Sequence, residues 1–592
     1  MRKNLSQYTC RVRTRASLQV GTVSAPNDPT DSLFRRDSAN RLLLPGTSIA
    51  GALRGHLTRI TPAMTRLPDE RRVCDALSGN TRTGKWKGKG QEQTKACACI
   101  VCHLMGDIRP LNTLRQDDNE SLSLKELEAW NGRASRLIIH DAVLPDLPTV
   151  IRDGVGIDRV TGVSARAASA KFDFEVVPAG TEFDIFLELE DTDPIDGYLF
   201  NLALHEWQAG RVRFGGGKSR GSGVLDLVSV NVIHYELTNP AGLGQFLLRH
   251  LQAPTPQPYN ITAPSRDHHG GCQEVAHSVQ SWIRVDFDLE AEGFFLTNDM
   301  TRAAASGVDQ QSLPLIPGAS LRGVIRSQAE RIARTIANLK ASNEAEFLAH
   351  CAASDPFVTF STRQQAQEAK GLRSSAARIH DEPKAEELRQ CIENYDLAEQ
   401  LFGSVDWGSR LAVEDAPLVG EPVWKKLDFV AIDRFTGGAA DGAKFDAYAL
   451  WKPTFRCCLY LESPQGWEIG WLLLALRDLR DGRVSVGAGG AKGFGAVTLR
   501  NLKLTLGYAY PEAAPAANLP HEGKSFFLES VYTDWQDRTI VKWMGASIER
   551  IRDFSLQVEH QGSKDPYWNQ DYWPSLRGQP ASVLYPGKVK QP

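Results

Sequence analysis

Apolar and polar positions alternate along residues 8–20 (YTCRVRTRASLQV), which predicts a strand. A polar stretch, SAPNDPTDSLFRRDSANR, follows, and LLLPG then leads into a different period. Ala50, Leu53, Leu57 and Ile60 recur at helical spacing, so a helix is expected, with Thr47 or Ser48 as its cap and Arg54 and Arg59 off the apolar stripe. Further on, DFEVV and EFDIFLEL read as two strands split by Pro-Ala-Gly. Residues 197–209 carry Leu199, Leu202, Leu204 and Trp207 as a second helix. After the Gly-rich run RVRFGGGKSRGSG, GVLDLVSVNVI closes the unit as a strand.

The whole pattern then recurs. Arg211 returns 272 residues on as Arg483, opening RVSVGAGGAKGFGAVTL. The same spacing carries Gly215, Gly217, Gly221 and Gly223 onto Gly487, Gly489, Gly493 and Gly495, Arg220 onto Lys492, Pro45-Gly46 onto Pro317-Gly318, and Arg54 onto Arg326. Several features sharing one offset identify a tandem repeat. GSRLAVEDAP restates RASRLIIHDA, and VAIDRFTGGAADGAKFD restates GIDRVTGVSARAASAKFD.

A chain of 592 residues exceeds one ordinary core, which agrees with two repeated domains. The expected division is 1–237 for the first copy, 238–279 for a Pro-, Gln-, Gly- and His-rich linker, 280–510 for the second, and 511–592 for a Trp-rich extension packing on its parent domain or on a partner subunit. No apolar run approaches bilayer length, and the basic start lacks a signal-peptide core, so a cytoplasmic protein is expected. A net charge of −3 confines any polyanion-binding surface to local patches.

Residues 74–107 read as an insertion in the first copy, with five basic residues in TRTGKWKGKGQEQTK and no hydrophobic period. Cys74 and the cluster Cys97, Cys99 and Cys102 bracket it, followed by His103. Four thiolates, or three with His103, suit a closed tetrahedral Zn²⁺ site that staples a segment lacking its own core. The other reading is cysteines packed as small hydrophobes.

GGGKS at Gly215 is not a nucleotide-binding P-loop. Val212 stands where the motif needs glycine, the order is helix–loop–strand, and the second copy lacks the Lys-Ser/Thr. Glycine plus a basic residue survives in both copies. With Arg211, Arg213, Lys218 and Arg220 close by, that composition suits contact with a phosphate backbone; a plain tight turn is the alternative.

The PGTS/PGAS turn into an Arg-bearing helix, the RLxxxDA segment, the IDRxTG hairpin, an LFG-like turn and the Gly-rich loop occur in one order in both copies. Together they resemble the RAMP superfamily of CRISPR–Cas proteins, most closely the backbone subunit of type III (III-D-like) effector complexes with two copies fused. The resemblance implies an α+β fold of two ferredoxin-like, RRM-like domains with thumb hairpins. It implies guide-RNA contacts at Arg54, Lys218 and Arg220 in the first copy and Arg326 and Lys492 in the second. The thumbs would be Ile157, Asp158, Arg159 and Thr161, then Ile432, Asp433, Arg434 and Thr436, with the apolar residue wedging between bases and the arginine on phosphate. Partners would be guide RNA, target RNA and other complex subunits, with no membrane.

The resemblance also implies metal-dependent cutting of target RNA by an aspartate ahead of the PGTS turn. Asp31-Ser32 through Asp37 match that pattern, so Asp31 is the expected catalytic residue, with Mg²⁺ or a similar ion. At the 272-residue offset Asp37 falls on Asp309 and Asp31 on Ala303. Either Asp299 substitutes in the second copy, or that copy binds without cutting. A guide-RNA scaffold without catalysis and a guide-processing endonuclease are the alternatives. The absence of a GGDD-type motif separates the chain from the large signalling subunit of such complexes.

Overall fold

The computed structural model describes residues 3–22, 30–61, 99–106, 134–157, 171–252, 254–261, 281–353, 395–404, 408–508 and 528–555. Each half contributes one five-stranded antiparallel sheet. In the first, the strands lie in the order Leu137–Ile139, Glu182–Glu190, Asn4–Thr14, Leu225–Glu236 and Gln257–Pro258. In the second, the order is Leu411–Val413, Thr454–Glu462, Ser281–Ala291, Val497–Tyr508 and Leu528–Tyr532. Along the chain, each half runs strand, helix, two strands, helix, strand, with the first strand at the centre of its sheet.

The alternation that predicted the first strand is its burial pattern. Tyr8, Cys10, Val12 and Thr14 are buried, while Arg11 and Arg13 pair on the other face with Glu182 and Asp184. The strand runs over Asn4–Thr14 and stops well short of residue 20. Helices Gly46–Ile60 and Pro194–Gln208 supply Leu53, Leu57, Leu204 and Trp207 to that core; Gly318–Lys340 and Gly466–Arg480 supply Ile325, Ile332, Trp471 and Leu474 to the second. Each such side chain, fully buried, contributes about 1.5–3 kcal/mol. Both core indoles also donate to backbone, Trp207 to Leu225 O and Trp471 to Ala329 O, each at 3.0 Å.

Neither Thr47 nor Ser48 caps the first helix, which starts at Gly46 directly after Pro45. The Asp of the RLxxxDA segment does this work instead. Asp141 Oδ1 accepts from Gly46 N–H at 2.7 Å, and Asp415 Oδ1 accepts from Gly318 N–H at 2.8 Å. A Cβ at Gly46 would sit 2.2 Å from Ile139 O, and one at Gly318 2.1 Å from Val413 O. Two sequence motifs thus form a single joint.

The stretch read as a linker adds structure to the first half. Helix Pro240–Leu247 and edge strand Gln257–Pro258 lie within it, the latter pairing with Asn231 and Val232. In the C-terminal extension, strand Leu528–Tyr532 joins the second sheet and helix Arg538–Arg552 buries Ile540, Met544, Ile548 and Ile551 against helix Gly466–Arg480. There Trp543 approaches Gly470, whose added Cβ would lie 1.9 Å from the Trp543 carbonyl, and Trp535 lies beneath Arg480. The described part of the extension therefore packs on its parent domain. Among the described residues no helix is long and apolar enough to cross a membrane.

The halves meet along a charged seam. Arg213 Nη2 donates to Glu414 Oε1 at 2.9 Å, Arg152 Nη2 to Asp415 Oδ2 at 2.7 Å, and Arg59 Nη2 to Glu462 Oε1 at 3.2 Å. Arg211 lies 4.9 Å over the Trp282 ring. The first Gly-rich loop rests on the second half, where a Cβ at Gly221 would be 2.6 Å from Val413 O.

Candidate functional site

In both copies the Gly-rich stretch folds as one turn of 3₁₀ helix, Lys218–Arg220 and Gly490–Lys492, flanked by left-handed glycines. Close backbone approach fixes the identity of the last glycine of each stretch. A Cβ at Gly223 would lie 1.9 Å from Phe214 O, and one at Gly495 2.0 Å from Val486 O. Glycine spacing here is thus a requirement of the chain path. The basic residues are where the two copies converge on something further.

Arg220 lies 5.1 Å over both Phe172 and Phe174, which stack with centroids 6.2 Å apart on strand Lys171–Val176. Lys492 lies 4.3 Å over Phe445 and 5.1 Å over Phe429, stacked 4.9 Å apart across the hairpin of Trp424–Ile432 and Ala439–Trp451. Burial lowers the pKa of the Arg220 guanidinium. Burial, and then the charge of Arg59, lower that of the Lys218 ammonium at the seam.

The same strands hold the candidate catalytic loop by their other face. Asp31 N–H donates to Asp173 Oδ1 and Asp173 N–H donates to Asp31 Oδ2, each at 2.9 Å. Ser32 bridges in parallel to Phe174, and Glu175 accepts from Phe34 N–H at 2.7 Å and from Arg36 at 2.8 Å. In the second copy Asp309 N–H donates to Asp446 Oδ1 at 2.9 Å and Asp446 N–H to Asp309 Oδ2 at 2.8 Å, while Gln310 and Gln311 run parallel to Ala447 and Tyr448. A hydrogen bond from Lys426, then one from Asp309 N–H, lower the Asp446 carboxyl pKa.

This pairing corrects the register of the repeat. The structural counterpart of Asp31 is Asp309, and Ala303 is a buried helix residue. Val12 faces Leu227 while Leu289 faces Leu499, so the first strands match 277 residues apart and the closing strands 272. The loop between the aspartate and the Pro-Gly turn is shorter in the second copy, which absorbs the difference. Asp37 has a different task, accepting from Ala39 N–H and Arg41 N–H in a local turn. Asp299 accepts from Arg302 N–H at the start of helix Met300–Ser306 and pairs with the Arg302 guanidinium at 3.4 Å.

The first-helix arginines turn onto protein. Arg54 donates to Met105 O at 3.4 Å and Cys102 Sγ at 3.1 Å; Arg326 donates to Gly403 O at 3.1 Å and Glu330 at 2.7 Å. Both brace the turn that ends a short helix, Ile100–Met105 or Leu397–Phe402. Arg211 is spent on Glu206 with bonds of 2.6 and 2.7 Å. Burial raises the Glu206 carboxyl pKa, and the charge and hydrogen bonds of Arg211 outweigh it, holding the group well below its usual range. His56 Nε2 lies 3.1 Å away on the same carboxylate.

Of the cysteines, Cys74 and Cys97 lie outside the described residues. Cys99 Sγ accepts from Cys102 N–H at 3.3 Å as the N-cap of helix Ile100–Met105, the place Asp396 takes in the second copy. His103 Nδ1 meets Asp196 at 2.8 Å, where Asp193 and Asp196 form a capping box for helix Pro194–Gln208.

In the second IDRxTG hairpin, Asp433 Oδ1 accepts from Phe435 N–H and Thr436 N–H, each at 2.8 Å, and Gly437 adopts a left-handed φ of 68°. The IDRxTG motif is thus an Asx-stabilised tip. It leaves Phe435 99% exposed and Ile432 57% exposed, an aromatic the sequence reading passed over. In the first copy of the motif Ile157 is exposed, and Asp158, Arg159 and Thr161 lie outside the described residues. Arg434 sits on the second tip, in the exposed turn between Ile432 and Ala439.

A model of the RAMP superfamily matches residues 12–226 and 304–498, one region in each half. No curated protein matches the chain.

Proposed function

From the premise that this chain belongs to the RAMP superfamily, a family that points to a CRISPR-associated, RNA-binding role, we propose that it is the double backbone subunit of a type III effector ribonucleoprotein, binding guide RNA and cutting paired target RNA. The β-α-β-β-α-β order with its first strand central in each sheet supports reading both halves as ferredoxin-like domains. The observation that carries the catalytic reading is the reciprocal aspartate clamp at the base of the thumb hairpin, built twice from residues far apart in sequence. On this reading Asp31 and Asp309 are the two catalytic carboxylates. Each is suited to take the proton of a ribose 2′-OH beside a base displaced by the thumb. Their all-oxygen donor set suits a hard divalent ion such as Mg²⁺, which would neutralise charge at the scissile phosphate.

Guide phosphates would run along the Gly-rich loops, with Lys218, Arg220 and Lys492 as the basic residues there and Arg159 and Arg434 on the thumbs. Arg54, Arg326 and Arg211 support this surface from beneath. Cys99 and Cys102 fit a Zn²⁺ site with Cys74 and Cys97, because N–H donors from Cys102 and Arg54 favour thiolate sulfur. We take Cys74 as the fourth ligand; His103 meets Asp196 through Nδ1, and its Nε2 is the alternative donor.

Sequencing RNA co-purified with the chain tests the class, since repeat-derived guide is expected. Incubating that particle with complementary RNA and Mg²⁺ tests the chemistry. Intact target with bound guide would leave a scaffold.

A further inference from the structure

The strand that leaves each thumb is gripped from both sides. On one face Phe172 and Phe174 lie under Arg220; on the other, Asp173 and Glu175 hold Asp31, Phe34 and Arg36. In the second copy Phe445 lies under Lys492 and the next residue, Asp446, holds Asp309. Side chains alternate along a strand, so neighbouring residues necessarily reach opposite faces. Different cations and different loop lengths arrive at one arrangement in both copies. The Gly-rich loop also bonds to Ser17 and Gln19, whose continuation bonds to Leu33 and Arg35, so among the described residues the aromatic strand is one of two links between the Gly-rich and aspartate loops.

We infer that Arg220 and Lys492 are positioning residues, which act through the aromatic strand to fix the cleavage aspartates Asp31 and Asp309. The inference rests on the cleavage reading just given. A cation attracted to two rings restrains the strand that carries them, and the strand so held keeps both clamp hydrogen bonds aligned. An RNA phosphate arriving at the Gly-rich loop would act on the same cation. Occupation of the guide groove is thereby linked to the geometry of the cut, and each copy carries its own linkage.

The test compares Arg220→Gln with Arg220→Lys, and Lys492→Gln with Lys492→Arg, in the full chain assembled with its guide. Arg220→Gln should slow the single-turnover cut assigned to Asp31 by about threefold to thirtyfold, the range of a lost cation–ring contact. The cut assigned to Asp309, read on particles matched for guide content, should stay within about twofold, and Arg220→Lys should restore the rate. Lys492→Gln should give the mirror result. A second readout does not depend on cutting: amide exchange at Asp31 and Asp173 should quicken in Arg220→Gln and remain slow in Arg220→Lys. Equal slowing of both cuts with loss of guide would make the residues simple phosphate contacts and overturn the inference, as would unchanged exchange. If wild-type particles do not cut, the function proposed above fails, while the exchange result still decides the coupling.

Discussion

Asp31 and Asp173 hold one another by reciprocal hydrogen bonds of 2.9 Å, each carboxylate accepting from the other residue's backbone N–H. Asp309 and Asp446 repeat the arrangement, whereas Asp299 accepts from Arg302 N–H and its own N–H donates to Gln311 O. Asp309→Ala should therefore lower one of two cuts by about a hundredfold or more, the usual scale for removing a general acid–base group. Asp31→Ala should remove the other, and Asp299→Ala should change neither. Mapping the cleavage products of the three variants on one labelled target checks this. A cut lost in Asp299→Ala and kept in Asp309→Ala would refute the structural register.

How the register escaped the sequence has a physical cause. The 272-residue offset is carried by the Gly-rich loop and the Pro-Gly joint, where an added Cβ would meet backbone at under 3 Å, so that glycine is required at those positions. The loop ahead of the Pro-Gly joint runs over the surface and tolerates insertion. Its length differs between copies, so one offset could not align both ends. The strands, helices and Gly-rich turns were legible because period and backbone constraint are local. The partners of Arg54, Arg211 and Arg326 were not, since a basic residue at a conspicuous position looks the same whether it faces phosphate or a buried carbonyl. Phe435 was passed over because one aromatic in a polar turn has no period to mark it.

The buried pair at the seam sets a difference between the copies. Arg211 is 8% exposed and fully paired with Glu206, whereas the Arg483 side chain is 63% exposed beside Asp478. Arg211→Met strands a buried carboxylate and should cost about 3–5 kcal/mol in urea unfolding at pH 7. Arg483→Met should cost about 0–1 kcal/mol. Because folding depresses the Glu206 pKa, the stability it contributes is present above its ordinary value of 4.5 and is lost as pH falls below it. The gap between wild type and Arg211→Met should accordingly narrow on the acid side. A gap that stayed constant from pH 7 to pH 3 would contradict the pairing.

Zinc retention separates the ligand alternatives. Elemental analysis of the purified chain should find about one zinc per chain, as for a closed four-ligand site. Cys99→Ser and Cys102→Ser should lose it. His103→Ala should keep the metal and instead lower stability by about 1–3 kcal/mol, because Asp196 loses a buried hydrogen-bond partner. Zinc lost from His103→Ala but not from Cys74→Ser would reverse the assignment of the fourth ligand.

Phe435 offers the sharpest test of the thumb. Its ring is almost wholly in water at a tip that two hydrogen bonds to Asp433 hold rigid. An exposed aromatic adds nothing to the core, so Phe435→Ala should leave thermal stability unchanged. A ring that stacks on a base contributes about 1–3 kcal/mol, so target affinity should fall by about fivefold or more while guide retention holds. Phe435→Trp should preserve affinity, since any large flat ring serves. Asp433→Ala should give an intermediate loss, because the ring remains but the turn that presents it loosens. Filter binding with labelled target on guide-loaded particles distinguishes these outcomes. Unaltered affinity and cut positions in Phe435→Ala would mean that the hairpin tip lies off the RNA, and the thumb reading would then fall back on Ile432 and Arg434.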